Sequence, residues 1–298
     1  MSHPSSSVPG PTLLALDFDG VICDGLREYF HSAWLAHGQY WEQPLGPGSD
    51  RPDADRPDAD RPDLDRPDPD RQTIEARFYR LRPVIETGWE MPVLIQALLQ
   101  GVEDEAILTD WAGQSAQIVA ADHLDPKAMA TTLDNLRDRQ IQGDLDTWLG
   151  LHQFYPGVIS RLQALLQQEF PWVIVTTKEG RFVHQLLGQA GLTLPRDRIF
   201  GKEVQQPKVK TLQHLAQDLA IGSTIWFVED RLPTLVTVRE QFEENPNPEP
   251  SSPQVSVQLF LADWGYNTHR DRQQVIQEPQ IHPLSLGQFN QPFSQWLG

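Results

Sequence analysis

Downstream of residue 150, short apolar runs alternate with amphipathic stretches, and that alternation constrains the fold more than any other feature of the chain. Val158–Gln167 reads as a helix, with Pro156-Gly157 ahead of it as a start signal. Trp172-Val173-Ile174-Val175-Thr176 reads as a buried strand, and Phe182–Gln189 as a helix closed near Gly191. A short strand at Ile199-Phe200 precedes a helix over Lys210–Leu219. Thr224–Val228 is the next strand, Leu235–Phe242 the next helix, and Val255–Leu261 the last strand. Alternation of this kind predicts an α/β fold, a Rossmann-like parallel sheet with helices on both faces. One more strand belongs to the sheet, residues 12–18.

Ligands bind parallel sheets beyond the carboxyl ends of the strands. Polar residues fall at those ends. Leu13-Leu14-Ala15-Leu16 runs into Asp17-Phe18-Asp19-Gly20-Val21. Residues i and i+2 of a strand share a face, so two acids there repel each other unless a cation or a reaction requires them. Gly20 permits a sharp turn and close approach of a ligand. Thr176, Thr177 and Lys178 end the second long strand, and Glu229 and Asp230 end a later one. Lys208 opens a helix between them, with Lys202 and Lys210 as rivals; preceding Leu212 at the start of an amphipathic stretch favours Lys208. Each residue alone has an ordinary reading: Thr176 as a helix cap, Lys208 as a solvated lysine, the acids as helix-start residues. Their recurrence at successive strand ends does not.

The ordered set resembles the haloacid dehalogenase-like hydrolase superfamily in its phosphatase branch, in particular phosphoglycolate phosphatase and beta-phosphoglucomutase relatives. Asp17-Phe18-Asp19-Gly20-Val21 resembles its first motif, Val175-Thr176-Thr177-Lys178 the second, Lys208 the third, and Phe227-Val228-Glu229-Asp230 the fourth. Trp264-Gly265-Tyr266-Asn267 resembles the turn after the last core strand of the phosphoglycolate phosphatase-like members. Many relatives carry a further aspartate four residues past the position of Asp230; here it is Thr234, which leaves Glu229 as the extra acid around a metal. The resemblance implies a phosphatase using Mg2+ on a small phosphorylated metabolite. In it Asp17 is the nucleophile, Asp19 the general acid and base, and Thr176, Thr177 and Lys208 hold the phosphoryl group. Asp17, Asp19 through its carbonyl, Asp230 and Glu229 surround the metal. A phosphomutase on the same fold differs only in the acceptor of the phosphoryl group. A dehalogenase has no need of Asp19 or Asp230. A non-catalytic binding protein would have no use for the acid set. Phosphoglycolate is a first substrate guess by resemblance alone.

The core is expected over 11–25 and 151–298, interrupted by a helical cap domain at 26–150. Leu26–Ala36, Ile74–Leu81, Val93–Leu99 and Ala128–Ile141 carry helical spacing there. By resemblance such a cap closes over the site and selects the substrate. Its polar residues Arg27, His31, Arg77, Arg80 and Arg82 read equally as substrate contacts or as surface residues, and His123 and His152, as alternatives to substrate contacts, read first as surface or satisfied core. Within the insertion, the pentad Arg51-Pro52-Asp53-Ala54-Asp55 recurs from Arg56, Arg61 and Arg66. Proline every five residues forbids helix or central strand, so 46–71 is expected to be a disordered loop expansion. Arginine in every copy argues against a dedicated cation site. Residues 1–10 read as a disordered lead without the pattern of a secretory signal.

A formal net charge of −17 disfavours nucleic acid and anionic membranes as partners. It also makes an anionic substrate depend on a local positive site or a metal. The single cysteine, Cys23, excludes an internal disulfide and a thiolate zinc cluster, and reads as a small buried apolar side chain. No apolar run approaches the length of a membrane span, and the cytoplasm is the expected compartment.

Overall fold

The computed structural model describes residues 10–41, 69–244 and 255–297. The lead before residue 10, the Arg-Pro-Asp copies through residue 68 and the proline-rich sequence at 245–254 lie outside the described residues. The chain divides into two compact units, residues 1–25 with 149–298, and residues 26–148.

The first unit carries β1 (Leu13–Leu16), β2 (Cys23–Asp24), β3 (Gln153–Phe154), β4 (Trp172–Val175), β5 (Ile199–Phe200), β6 (Thr224–Glu229), β7 (Ser256–Ala262) and β8 (Ile281–Leu284). Six of these form one sheet in the order β5-β4-β1-β6-β7-β8, with every pair parallel. The chain builds outward from β1 through β4 to β5, then returns to the other side of β1 for β6, β7 and β8. The crevice between β1 and β6 is therefore the topological switch point, where such sheets bind ligands. The two-residue strands β2 and β3 pair antiparallel, Cys23 opposite Phe154.

Strand alternation sorts the sheet residues into two buried layers. Leu13, Ala15, Val173, Val175, Ile225, Phe227, Leu259 and Leu261 share one cluster. Val209 and Leu212 of α10 (Lys208–Gln217), Leu232, Leu235 and Val238 of α11 (Leu232–Glu244) and Val275 of α12 (His269–Val275) complete it. On the opposite face the Trp226 ring lies 4.9 Å from Phe260 and 5.6 Å from Trp296, centroid to centroid. The Phe289 ring of α13 (Leu286–Phe289) lies 5.3 Å from Trp296, tilted against it, and Arg161 of α8 (Val158–Gln167) lies over Phe293. α9 (Gly180–Gln189) lies beside β5.

Val255–Leu261 is not the last strand: β8 follows at the sheet edge, pairing Phe260 with His282 and Leu261 with Pro283. Pro283 hides it in the sequence, because proline argues against a strand everywhere except at an edge. Helices begin earlier than their apolar spacing suggests. α10 starts at Lys208 and α11 at Leu232, and Val209 and Leu232 in their first turns already join the core.

Among the described residues the elements of the second unit are helices: α1 (Leu26–Trp41), α2 (Pro69–Leu81), α3 (Glu90–Leu99), α4 (Asp104–Thr109), α5 (Trp111–Ala121), α6 (Pro126–Gly143) and the start of α7 (Leu145–Leu149). α2 begins three residues inside the span expected to be disordered. Pro69 at a helix start loses no hydrogen bond, and Asp70 in the first turn suits the helix dipole. Glu28 of α1 is buried and takes a forked pair from Arg137 of α6, Nε at 2.7 Å and Nη2 at 3.0 Å. Arg77 and Arg80 both bind Asp104, and Arg82 lies over the Tyr29 ring, so these cations have partners within their own unit.

Candidate active site

The register of the sheet assembles the acids. Leu16 pairs with Val228, and the Asp17 amide donates to the Val228 carbonyl at 2.9 Å. One step on, Asp17 stands level with Glu229. Both have the parity of Ala15 and Phe227, so both face the layer that α10 covers. Lys208 is the first residue of α10, and Val209 and Leu212 pin that helix to the same layer. Its Nζ consequently reaches Asp17 Oδ2 and Glu229 Oε2, each at 2.7 Å. Lys210 points elsewhere, donating to Gln213 on the exposed side.

Asp17, Glu229 and Asp230 are all buried, and each offers a carboxylate oxygen within 4.8 Å of the others. Asp17 Oδ1 accepts from the Phe18 amide at 2.7 Å. Glu229 Oε1 accepts from the Arg231 amide at 3.1 Å, so both of its oxygens have donors. Asp230 Oδ2 accepts from the Tyr266 amide at 2.7 Å, and Asn267 Nδ2 donates to the Asp230 carbonyl at 3.1 Å. Asp230 is packed between two glycines. A Cβ on Gly20, whose φ is +81°, would collide with the Asp230 carboxylate; one on Gly265 would overlap Asp230 Cβ and the Gly20 carbonyl.

Three buried carboxylates face one ammonium group. Burial pushes the Asp17 carboxyl up to about 7, with the Glu229 charge adding to it and Lys208 opposing. Asp230 is raised well above the usual carboxylate range by burial and then by Glu229 and Asp17. Burial also works against Glu229, but Lys208 outweighs it and holds that carboxyl low. Burial disfavours the Lys208 charge, and its two acidic partners more than restore it. The surplus of negative charge and the all-oxygen donor set fit a hard divalent cation such as Mg2+.

The Asp19 carboxylate lies outside this cluster. Its Oδ1 is 3.3 Å from Lys178 Nζ, which is also 3.4 Å from His152 Nε2. Thr176 is buried, and its hydroxyl accepts from the Lys178 amide at 3.2 Å. Thr176, Thr177 and Lys208 line one cavity of about 360 Å3, together with Lys202, Gln205 and Gln206. His152 is buried beside a lysine rather than at the surface, and His123 is exposed. The contacts of Lys178 with Asp19, of His152 with Lys178 and of Gly265 with Asp230 are not foreshadowed in the sequence analysis. Lys178 stands two residues beyond a strand-end threonine, and that position was the available signal. Cys23 is buried, and burial raises its thiol pKa, as expected of an inert apolar side chain.

A parallel α/β sheet with a buried acidic centre at its switch point defines a Rossmann-like enzyme core. The profile of the haloacid dehalogenase-like hydrolases matches residues 11–235, and the chain belongs to that family. Two solved structures share the fold. A Clostridium difficile protein provisionally named a phosphatase has a TM-score of 0.52 at 10% identity, covering 94% of this chain and 97% of its own. A Bacteroides fragilis protein provisionally named a haloacid dehalogenase-like hydrolase has a TM-score of 0.51 at 13% identity, covering 93% and 99%. No curated protein matches the chain. No helix among the described residues is long and apolar enough to cross a membrane.

Proposed function

We propose that the protein is a magnesium-dependent, cytoplasmic phosphatase acting on a small phosphorylated metabolite through an aspartyl-phosphate. The observation that supports this best is the buried cluster of Asp17, Glu229 and Asp230 with Lys208 bridging two of the acids. Asp17 attacks phosphorus in line, forming a bond to one carboxylate oxygen while the ester P–O bond breaks. Asp19, two residues on, gives its proton to the departing oxygen. Water then attacks the phosphoryl group on Asp17, Asp19 takes the proton, and inorganic phosphate leaves. Thr176, Thr177 and backbone amides hold the phosphoryl oxygens, and Lys208 balances charge as it moves through the transition state.

Asp17, the Asp19 carbonyl and Asp230 would hold Mg2+, with Glu229 as a further ligand or beside the ion, held by Lys208. When bound, the ion offsets repulsion between the phosphate dianion and the attacking carboxylate. The inserted helical unit is read as the cap that selects the substrate. Hydrolysis of an aryl phosphate, with and without magnesium, by wild type and Asp17→Asn tests the reading. Release is expected only from wild type with the metal; equal release by both proteins refutes it.

A further inference from the structure

We infer that Lys178 and His152 position the Asp19 carboxyl group for its two proton transfers, a role that rests on the phosphatase reading above. The main chain around Asp19 is fixed by its own turn. The amides of Ile22 and Cys23 both donate to the Phe18 carbonyl at 2.9 Å, and the Gly20 amide donates to the Cys23 carbonyl at 2.8 Å. None of those bonds orients the side chain at 19. Lys178 does, from the tip of β4, with its side chain only 10% exposed.

The lysine is itself held at both ends. Its amide donates to Thr176 Oγ1, and its carbonyl accepts from the Lys202 amide at 3.0 Å. At the far end of a flexible four-carbon stem, Nζ lies between Asp19 Oδ1 and His152 Nε2. His152 is buried, and its own amide donates to the Leu149 carbonyl at 3.0 Å. Two lysines thus divide the two acids of the first motif: Lys208 holds Asp17, and Lys178 holds Asp19. With Oδ1 tied to Lys178, Oδ2 carries the proton toward the ester oxygen. That proton joins the departing oxygen as its bond to phosphorus breaks. The ammonium group keeps the resulting carboxylate in the same orientation for the water that follows.

The distinguishing readout is leaving-group dependence of kcat/KM, which reports events up to departure of the alcohol. An alkyl phosphate needs a proton delivered to its leaving oxygen, and 4-nitrophenyl phosphate scarcely does. General acid catalysis is worth about 100- to 10,000-fold, so Lys178→Met is expected to lose about 30-fold or more on an alkyl phosphate and under about threefold on the aryl ester. Lys178→Arg keeps a donor and is expected to recover part of the loss. His152→Ala should show the same selectivity at about 3- to 10-fold, and His152→Gln, which keeps an acceptor, should lose less. Asp19→Asn is the reference. If it loses selectively and Lys178→Met and His152→Ala lose equally on both esters, the positioning role is overturned and the phosphatase reading stands. If Asp19→Asn itself loses equally on both, the assignment of Asp19 fails and takes this inference with it.

Discussion

At the scale of single residues, the site is a problem in charge. The Asp17 carboxyl sits near 7 against an ordinary 3.8, because burial and Glu229 disfavour its charge more than Lys208 supports it. Without a cation the folded chain keeps a proton that the unfolded chain releases, so stability falls as pH rises from 3.8 towards 7. Asp230 shifts in the same direction. Glu229, held low, acts oppositely, losing its contribution as pH falls below its ordinary 4.5. Magnesium competes with the Asp17 and Asp230 protons. Its addition should therefore raise the melting temperature more at about pH 7.5 than at about pH 5.5, and equal shifts in differential scanning fluorimetry would contradict the assignment. Lys208→Met should cut kcat by about 100-fold or more in steady-state assays, as expected when one charge-stabilising donor is lost. Much of this was legible in the sequence. An apolar run ending in Asp-Phe-Asp-Gly permits few other readings, whereas only its place ahead of Leu212 favours Lys208 over Lys202 and Lys210 in the sequence. The seating of α10 through Val209 and Leu212 brings the Lys208 ammonium group to Asp17.

At the scale of elements, turns and edges hold the acids in place. The 264–267 turn after β7 is laced to the loop after β1. Trp264 Nε1 donates to the Val21 carbonyl at 3.1 Å, Tyr266 accepts from the Gly25 amide at 2.7 Å, and Asp230 lies between Gly20 and Gly265. Gly265→Ala should displace Asp230 and weaken magnesium binding at least tenfold by titration calorimetry while the far-ultraviolet circular dichroism stays unchanged. Unaltered binding would show that the close approach is not needed. The aromatic layer under β6 and β7 predicts that Trp296→Ala costs about 3–5 kcal/mol in urea unfolding, since a buried indole leaves a cavity. Neither β8 nor this layer was legible. Pro283 disguised the strand, and Phe293 and Trp296 fall in a stretch with no period to read.

At the scale of the whole molecule, a net charge of −17 opposes the approach of a phosphate ester. On the phosphatase reading, Lys208, Lys178 and a bound Mg2+ would reverse it locally. Raising ionic strength screens the long-range field more than the short contacts of a buried centre, the screening length being about 10 Å at 0.1 M salt. kcat/KM for a dianionic ester should therefore rise between about 20 and 150 mM salt, and a monotonic fall in stopped-flow or steady-state rates would contradict this balance. The alternation that sets the sheet is a property of the chain after residue 150, and it was readable because strands and helices differ in period. The helical unit was readable as helical but not as packed. Its pair of buried Glu28 and half-buried Arg137 joins residues 109 positions apart, and no local pattern announces such a contact. The central claim is that Asp17 accepts the phosphoryl group. It is tested most directly by acid-quenching the magnesium-loaded protein during turnover and mapping the phosphoryl adduct by mass spectrometry. A hydroxylamine-labile phosphoryl group on the peptide containing Asp17 is the predicted result; steady turnover with that peptide unmodified and Asp17→Asn still active would contradict it.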